Sequence, residues 1–565
     1  MHFLRFTFLW MVLHVFITSS AIGQTPDIIY FNGTILKGDK GFGRVRAIAI
    51  KDGKILATGN DNEILLLKGN NTNIINLKNK TVVPGFNDAH LHPSPIYPFE
   101  SLHTVLDIQP DSVKNIEELI SLLKRKASIT PAGYPIRGRG YQDTKLGGHP
   151  TAAMLDQAST LHPIMLTHSS GHISVVNSYL LKLAGITKNT PDPPGGAFDR
   201  NKDGSPNGVC KESAFGYLLS HLPASYSFPP PSFEEEAEGY RKCFERFIAN
   251  GITSITEAGA DPRKIPIYEW LQKNGLALRI NLLISEKYLD AVINGKLKSK
   301  YQNDSLRISG IKVFHGNSLS GRTCWLNEPY DMVNPATGKY DYYGIPPARN
   351  QEALNKLFQK IQSNNLQIAV HSNGDREIEM VILAMEYAGQ NANRSNTRNR
   401  IEHCSITTDK IMQKLLADSI IPVFHSYIYE HGDKLVFYGK DRFNHIHPDR
   451  TAIDMGIQGA QHSDYPISDA RPLLRIESMV TRTSKEGLVI GDQQKVSPME
   501  AIRLWTYGGA YASFEEKEKG SLEPGKWADL VILDNDPTKT DAFSIKKITV
   551  LETMIRGKVV FTFRQ

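Results

Sequence analysis

Two histidines one residue apart, His90 and His92, close the segment Thr81-Val-Val-Pro-Gly-Phe-Asn-Asp-Ala-His-Leu-His-Pro. The first half of this segment is apolar and β-branched, and reads as a short buried strand bent at Pro84-Gly85. Side chains on a strand repeat every two residues, so both imidazoles point one way and Leu91 the other. Two imidazoles converging on one point suit a divalent metal. Taken alone, the pair fits a structural role as well, because 18 histidines produce about one such spacing by chance. A second pair, His445-Ile-His447, follows the polar run Lys440-Asp-Arg-Phe-Asn444 and is expected in a loop, where a shared metal is less favoured.

A metal needs further donors, and four later segments offer them at the ends of short apolar runs. Lys312 stands in Ser309-Gly-Ile-Lys-Val-Phe and His371 ends Leu366-Gln-Ile-Ala-Val-His. His403 ends Arg400-Ile-Glu-His, and Asp464 ends Ile457-Gln-Gly-Ala-Gln-His-Ser-Asp. Three or four imidazoles, one carboxylate and one lysine would satisfy one or two borderline divalent ions such as Zn²⁺. An ammonium group repels a metal, but a lysine that has taken up carbon dioxide becomes a carbamate, an anionic bridge between two ions. Singly, each of these residues fits a satisfied structural role, and a strand lysine can snorkel outward. Their recurrence at successive strand ends is what points to a site.

The elements that must position them alternate. A helix is expected over Phe233–Asn250 with Ser232 as its N-cap, followed by Gly251 and a strand, and another helix over Gln351–Ser363 leads into the His371 strand. This repeated beat from residue 81 to about 510 favours a (β/α)₈ TIM-like barrel, whose strand C-termini carry the chemistry. Residues from about 94 to 230 break the beat with turn-rich pieces such as Pro191-Asp-Pro-Pro-Gly-Gly, too long for an ordinary βα loop, and read as an insertion after the first barrel strand. Short alternating runs near both chain ends, with an Asp52-Gly53 hairpin signal, are too few to stand alone and most economically pair into one composite β-sandwich. The expected divisions are 1–23, 24–82, 83–512 and 513–565.

Residues 1–23 combine Arg5, an apolar run and the small residues Ser19, Ser20, Ala21 and Gly23, the pattern of a cleaved secretory signal peptide. About a dozen apolar residues is short for a membrane span, so an exported protein with no stable membrane anchor after processing is expected. With 65 basic against 59 acidic residues there is no nucleic-acid footprint. The expected partner is a small-molecule substrate, with homo-oligomerisation left open. Cys210, Cys243, Cys324 and Cys404 are scattered singletons, expected as buried free thiols.

Val83-Pro-Gly-Phe-Asn-Asp-Ala-His-Leu-His resembles the first-strand signature of the metal-dependent amidohydrolase superfamily, and the likeness continues in order. Gly310-Ile-Lys-Val-Phe is similar to its fourth-strand motif and His371-Ser-Asn-Gly-Asp-Arg to its fifth. Arg400-Ile-Glu-His resembles the sixth, and His462-Ser-Asp-Tyr-Pro the eighth. Gly171-His-Ile-Ser-Val-Val-Asn-Ser and Pro193-Pro-Gly-Gly are similar to the amidohydrolase-3 branch that includes N-substituted formamide deformylases. The resemblance runs from about residue 27 to the C-terminus. It implies that His90, His92 and Asp464 hold the more buried metal, that His371 and His403 hold a second, and that a carbamylated Lys312 bridges them. It further implies hydrolysis of a C–N bond by metal-activated hydroxide, with Asp464 as the general base that passes the proton to the leaving amine.

Two departures stand out. Phe314-His315-Gly316 replaces a Phe-x-Asp-Gly pattern, and His462 replaces the glycine before Ser463-Asp464. Both add an imidazole beside the site, and a one-ion site in which His403 or Lys312 only hydrogen-bonds stays open. His172, Glu212, His315 and Tyr427 are the candidate substrate-contacting residues; like His425 and His431 near Tyr427, they fit plain wall positions too. The alternatives to amide hydrolysis are another carbonyl or phosphoryl substrate on the same barrel, or a non-catalytic binding protein.

Overall fold

The computed structural model describes residues 24–297, 305–334, 336–390, 397–425 and 427–564; the expected signal peptide lies outside them. Eight parallel strands run in chain order around one sheet: β1 Phe86–Leu91, β2 Ile252–Ala260, β3 Arg279–Ser285, β4 Leu306–Phe314, β5 Gln367–Ser372, β6 Arg400–His403, β7 Ile421–His425 and β8 Ala460–His462. The ring closes just past β1 and β8. There the Asp464 N–H donates to the His90 carbonyl at 3.1 Å and the His92 N–H to the Tyr465 carbonyl at 2.7 Å. This is the TIM-like barrel the alternating pattern predicts.

The strands are buried on both faces because helices cover them, which is why they read as near-continuous apolar runs. The helix Phe233–Ala249 begins where the Ser232 side chain accepts the Glu235 N–H, and stops before Gly251, whose φ of +81° no β-branched residue would tolerate. The helix Gln351–Gln362 is capped in the same way by Asn350. Their apolar faces, including Phe244, Phe247, Leu354 and Phe358, join the barrel's outer core.

Both chain ends meet in one sheet. Val82 pairs antiparallel with Ile532, and Val83 with Val531, while Thr34 pairs parallel with Thr81. A second sheet of Ile28–Phe31, Ala47–Lys51, Lys54–Gly59 and Asn73–Asn76 packs against it, with Tyr30, Ile48 and Ile55 clustering on Leu530 and Met554. Asp52 and Gly53, at φ +50° and +74°, make the expected type I′ hairpin turn.

The insertion is more ordered than its turn-rich sequence suggests. It holds a six-stranded mixed sheet, in the order 196–200, 206–212, 173–176, 164–168, 136–141 and 105–107, with core clusters of its own. The strand Ile136-Arg-Gly-Arg-Gly-Tyr alternates correctly, but its glycines and arginines hide the pattern. Asp143 ties the insertion to the barrel loops through Arg322 at 2.7 Å and Lys434 at 3.5 Å, and meets His168 of the insertion's own sheet at 3.2 Å. All four cysteines are buried free thiols, and no helix among the described residues is long and apolar enough to cross a membrane.

Candidate metal centre

The His-x-His pair converges as the two-residue period requires. His90 Nε2 and His92 Nε2 are 3.3 Å apart, and Asp464 Oδ1 lies 3.4 Å from the first and 3.3 Å from the second. A tetrahedral ion with ligands about 2.0–2.1 Å away spaces those ligands by roughly 3.3–3.4 Å, so this triangle has the edge length such an ion sets. No hydrogen bond explains the closeness of His90 to Asp464. Nδ1 of His90 is engaged by the buried Glu402 carboxylate, and burial holds the ring well below its usual pKa, hence neutral with its lone pair on Nε2. Asp464 Oδ1 has no hydrogen-bond partner among the described residues. Two acceptors facing each other in a buried site call for a cation between them.

Backbone geometry delivers these groups. His403 and Asp464, at φ +70° and +57°, sit in left-handed backbone at strand ends. On a regular strand, Arg400 and Glu402 share one face and His403 takes the other; the left-handed backbone at His403 lets its ring reach the same interior, 4.9 Å from that of His90. Asp88 accepts the backbone N–H of Ser463 at 3.1 Å, locking β1 to the residue before Asp464.

Lys312 is fully buried, with Nζ 3.5 Å from His90 Nε2. Burial lowers its pKa to about 8, against the pull of Glu402 and Asp464. His371 and His403 stand with ring centroids 4.6 Å apart, and both are held well below their usual pKa, first by burial. Nε2 of His371 meets the Asn317 carbonyl at 3.1 Å, so its other ring nitrogen is the one left for a ligand.

Of the candidate substrate residues, His172, Tyr427 and the metal-side His371, His403 and Asp464 line one small cavity of about 30 Å³ at the barrel mouth. His172 Nδ1 meets Glu212 Oε2 at 2.6 Å; burial lowers the His172 pKa, but Glu212 outweighs it and the net shift is upward. His315 faces a neighbouring cavity, of about 550 Å³, shared with His172 and Glu212. His431 stacks behind Tyr427, with centroids 3.9 Å apart, as a wall residue.

Four residues carry more than their sequence context shows. Glu402, clamped by Arg400, orients His90; its place two residues after Arg400 on a strand is the signal that could have found it. His425 and His462, one a plain wall candidate and the other a mere departure from pattern, pack against each other 4.6 Å apart beside His403. His447, half of the loop pair, lines the mouth cavity while His445 stays partly exposed.

Comparison with known proteins agrees with this architecture. Residues 73–561 match the model of the amidohydrolase family. The chain belongs to that family. This amidohydrolase is similar to an N-substituted formamide deformylase of Arthrobacter pascens, at 24% identity over 94% of this chain and 98% of that one. Its fold is shared with an uncharacterized metal-dependent hydrolase of Pyrococcus horikoshii OT3 (23% identity, TM-score 0.68, covering 91% of this chain and 99% of that one). A second such hydrolase, of Pyrococcus furiosus, superposes at 25% identity and TM-score 0.66, covering 91% and 100% of the two chains.

Proposed function

We propose that this amidohydrolase is an exported, metal-dependent enzyme that hydrolyses the C–N bond of an amide or formamide-like small molecule. The triangle of His90, His92 and Asp464, with edges of 3.3–3.4 Å, carries the reading. Family membership and the likeness to a formamide deformylase along nearly the whole chain support it.

A zinc-type divalent ion held by those three residues would polarise the substrate carbonyl and acidify the attacking water. The chain's own groups do the rest. Asp464 takes the proton of that water and delivers it to the departing nitrogen, which leaves as an amine. Glu402 fixes the ring of His90 so that Nε2 faces the reaction centre. Lys312, carried as a carbamate, adds an anionic oxygen beside His90. His172, held toward its protonated form by Glu212, donates a hydrogen bond to the oxygen on which negative charge develops. The insertion that supplies His172 walls the mouth and sets which acyl and amine groups fit.

The test is a substrate panel on zinc-loaded protein. N-formyl amines and simple amides should turn over, and His90→Ala and Asp464→Asn should abolish that turnover while leaving the fold intact. Activity confined to esters or phosphoesters would sink the reading.

A further inference from the structure

We propose that His403, His425 and His462 form a divalent-metal site of their own, suited to a borderline ion of the zinc type and separate from the His90–His92–Asp464 trio. Three neighbouring strands supply it, one histidine each, from the last residues of β6, β7 and β8. His425 and His462 are direct partners across the β7–β8 ladder, so their rings stack at 24° with centroids 4.6 Å apart. His403, swung inward by its left-handed backbone, brings its ring to 4.9 Å from His462 and 6.4 Å from His425. One ligand nitrogen from each lies within 4.8 Å of the others.

Unmet hydrogen bonding, seen also at His315 and His447, becomes pertinent here because three rings converge on one point. His462 is 0% exposed and His425 3% exposed, yet both ring nitrogens of His462 and Nε2 of His425 have no hydrogen-bond partner among the described residues. A neutral imidazole carries one N–H and one lone pair, and burying either unsatisfied is unfavourable. His162 shows what a structural histidine looks like in the same molecule. It is equally buried, at 5%, but Nε2 meets the Thr130 carbonyl at 3.0 Å and Nδ1 meets Ser159 Oγ at 2.7 Å. An ion shared by three imidazoles uses lone pairs that nothing else in the cluster engages, and three nitrogen ligands with an open position suit zinc. The opening exists, because His403 and His425 line the mouth cavity together with Asp464, whose carboxylate offsets part of the added charge.

The assignment concerns metal binding and holds whichever bond the enzyme cleaves. Full-length protein is loaded with zinc, freed of excess, and its zinc per chain measured by mass spectrometry beside His425→Ala/His462→Ala and His90→Ala. In crystals of the unaltered protein, anomalous scattering at the zinc edge locates each ion without any variant. The double variant should lose one equivalent of zinc relative to the parent, and an anomalous peak should lie among His403, His425 and His462 and persist in His90→Ala. Equal zinc content in parent and double variant would overturn the proposal. So would an anomalous map with no peak inside the three-histidine cluster, including one whose second peak lies between His371, His403 and Lys312.

Discussion

Glu402 accepts Nδ1 of His90 in the barrel interior, both residues at 0% exposure, while Arg400 Nη2 holds the same carboxylate oxygen at 2.9 Å. Such a carboxylate fixes the tautomer of a metal-binding imidazole and raises its basicity. Glu402→Gln should therefore weaken zinc binding about 10–100-fold. Competition with a chelator of known affinity measures it, and unchanged affinity would remove Glu402 from the site.

Asp464 has two duties that one substitution separates. Asp464→Asn keeps an oxygen near His90 and His92 but cannot take a proton. Turnover should fall by about 10²–10⁴ or more, the usual worth of a positioned base, and further if metal is also lost. Zinc content measured beside kcat tells the two apart: a kcat loss with metal retained assigns the base role.

Lys312 makes a prediction about pH. Burial brings its amine to about pKa 8, below the usual lysine value, so in the metal-free protein the neutral amine becomes the majority form as pH rises through 8. Only the neutral amine adds carbon dioxide. Uptake from bicarbonate, read by carbon NMR with labelled bicarbonate, should increase through that range and fade toward pH 6. Lys312→Arg should show none, and a parent protein that takes up no label at pH 9 would rule the carbamate out.

Asp143 anchors the insertion, and its removal should show in stability. Burial pushes its carboxyl up, but the His168 hydrogen bond and the charges of Lys434 and Arg322 outweigh this and hold it far below the usual carboxylate range. A depressed acid stabilises the fold fully above its unfolded pKa of about 4 and loses that contribution as pH falls toward the folded value. Asp143→Asn should thus cost about 3–5 kcal/mol near pH 6, because Lys434, 0% exposed, is left without its carboxylate. Chemical denaturation from pH 6 down to 3 should show the parent and variant converging below about pH 4.

Leu530 tests the joining of the chain ends. It is 0% exposed, pairs with Pro84 across the composite sheet and packs in one cluster with Tyr30 and Ile48. Leu530→Ala should cost about 2–5 kcal/mol, read from thermal melts. An unaffected melting temperature would mean the two ends do not share one core.

The barrel and the set of polar side chains at its strand ends were legible because both follow local rules. Apolar runs ending in His371, His403 and Asp464 recur with the helix beat, and the two-residue strand period alone sets His90 and His92 side by side. The insertion's sheet was hidden because Ile136-Arg-Gly-Arg-Gly-Tyr spends its pattern on residues that usually signal loops.

Sequence by itself determined the class of fold, the order of the strands and the residue types able to hold a metal, since periodicity and spacing are properties of a single segment. Only the tertiary structure decided which of those residues meet. The pairing of His425 with His462 across β7 and β8, and the inward swing of His403, depend on barrel register and on a left-handed backbone. The engagement of Glu402 with His90 joins residues 312 positions apart. Neither contact is encoded within any one segment, because each exists only after eight strands have closed into a ring.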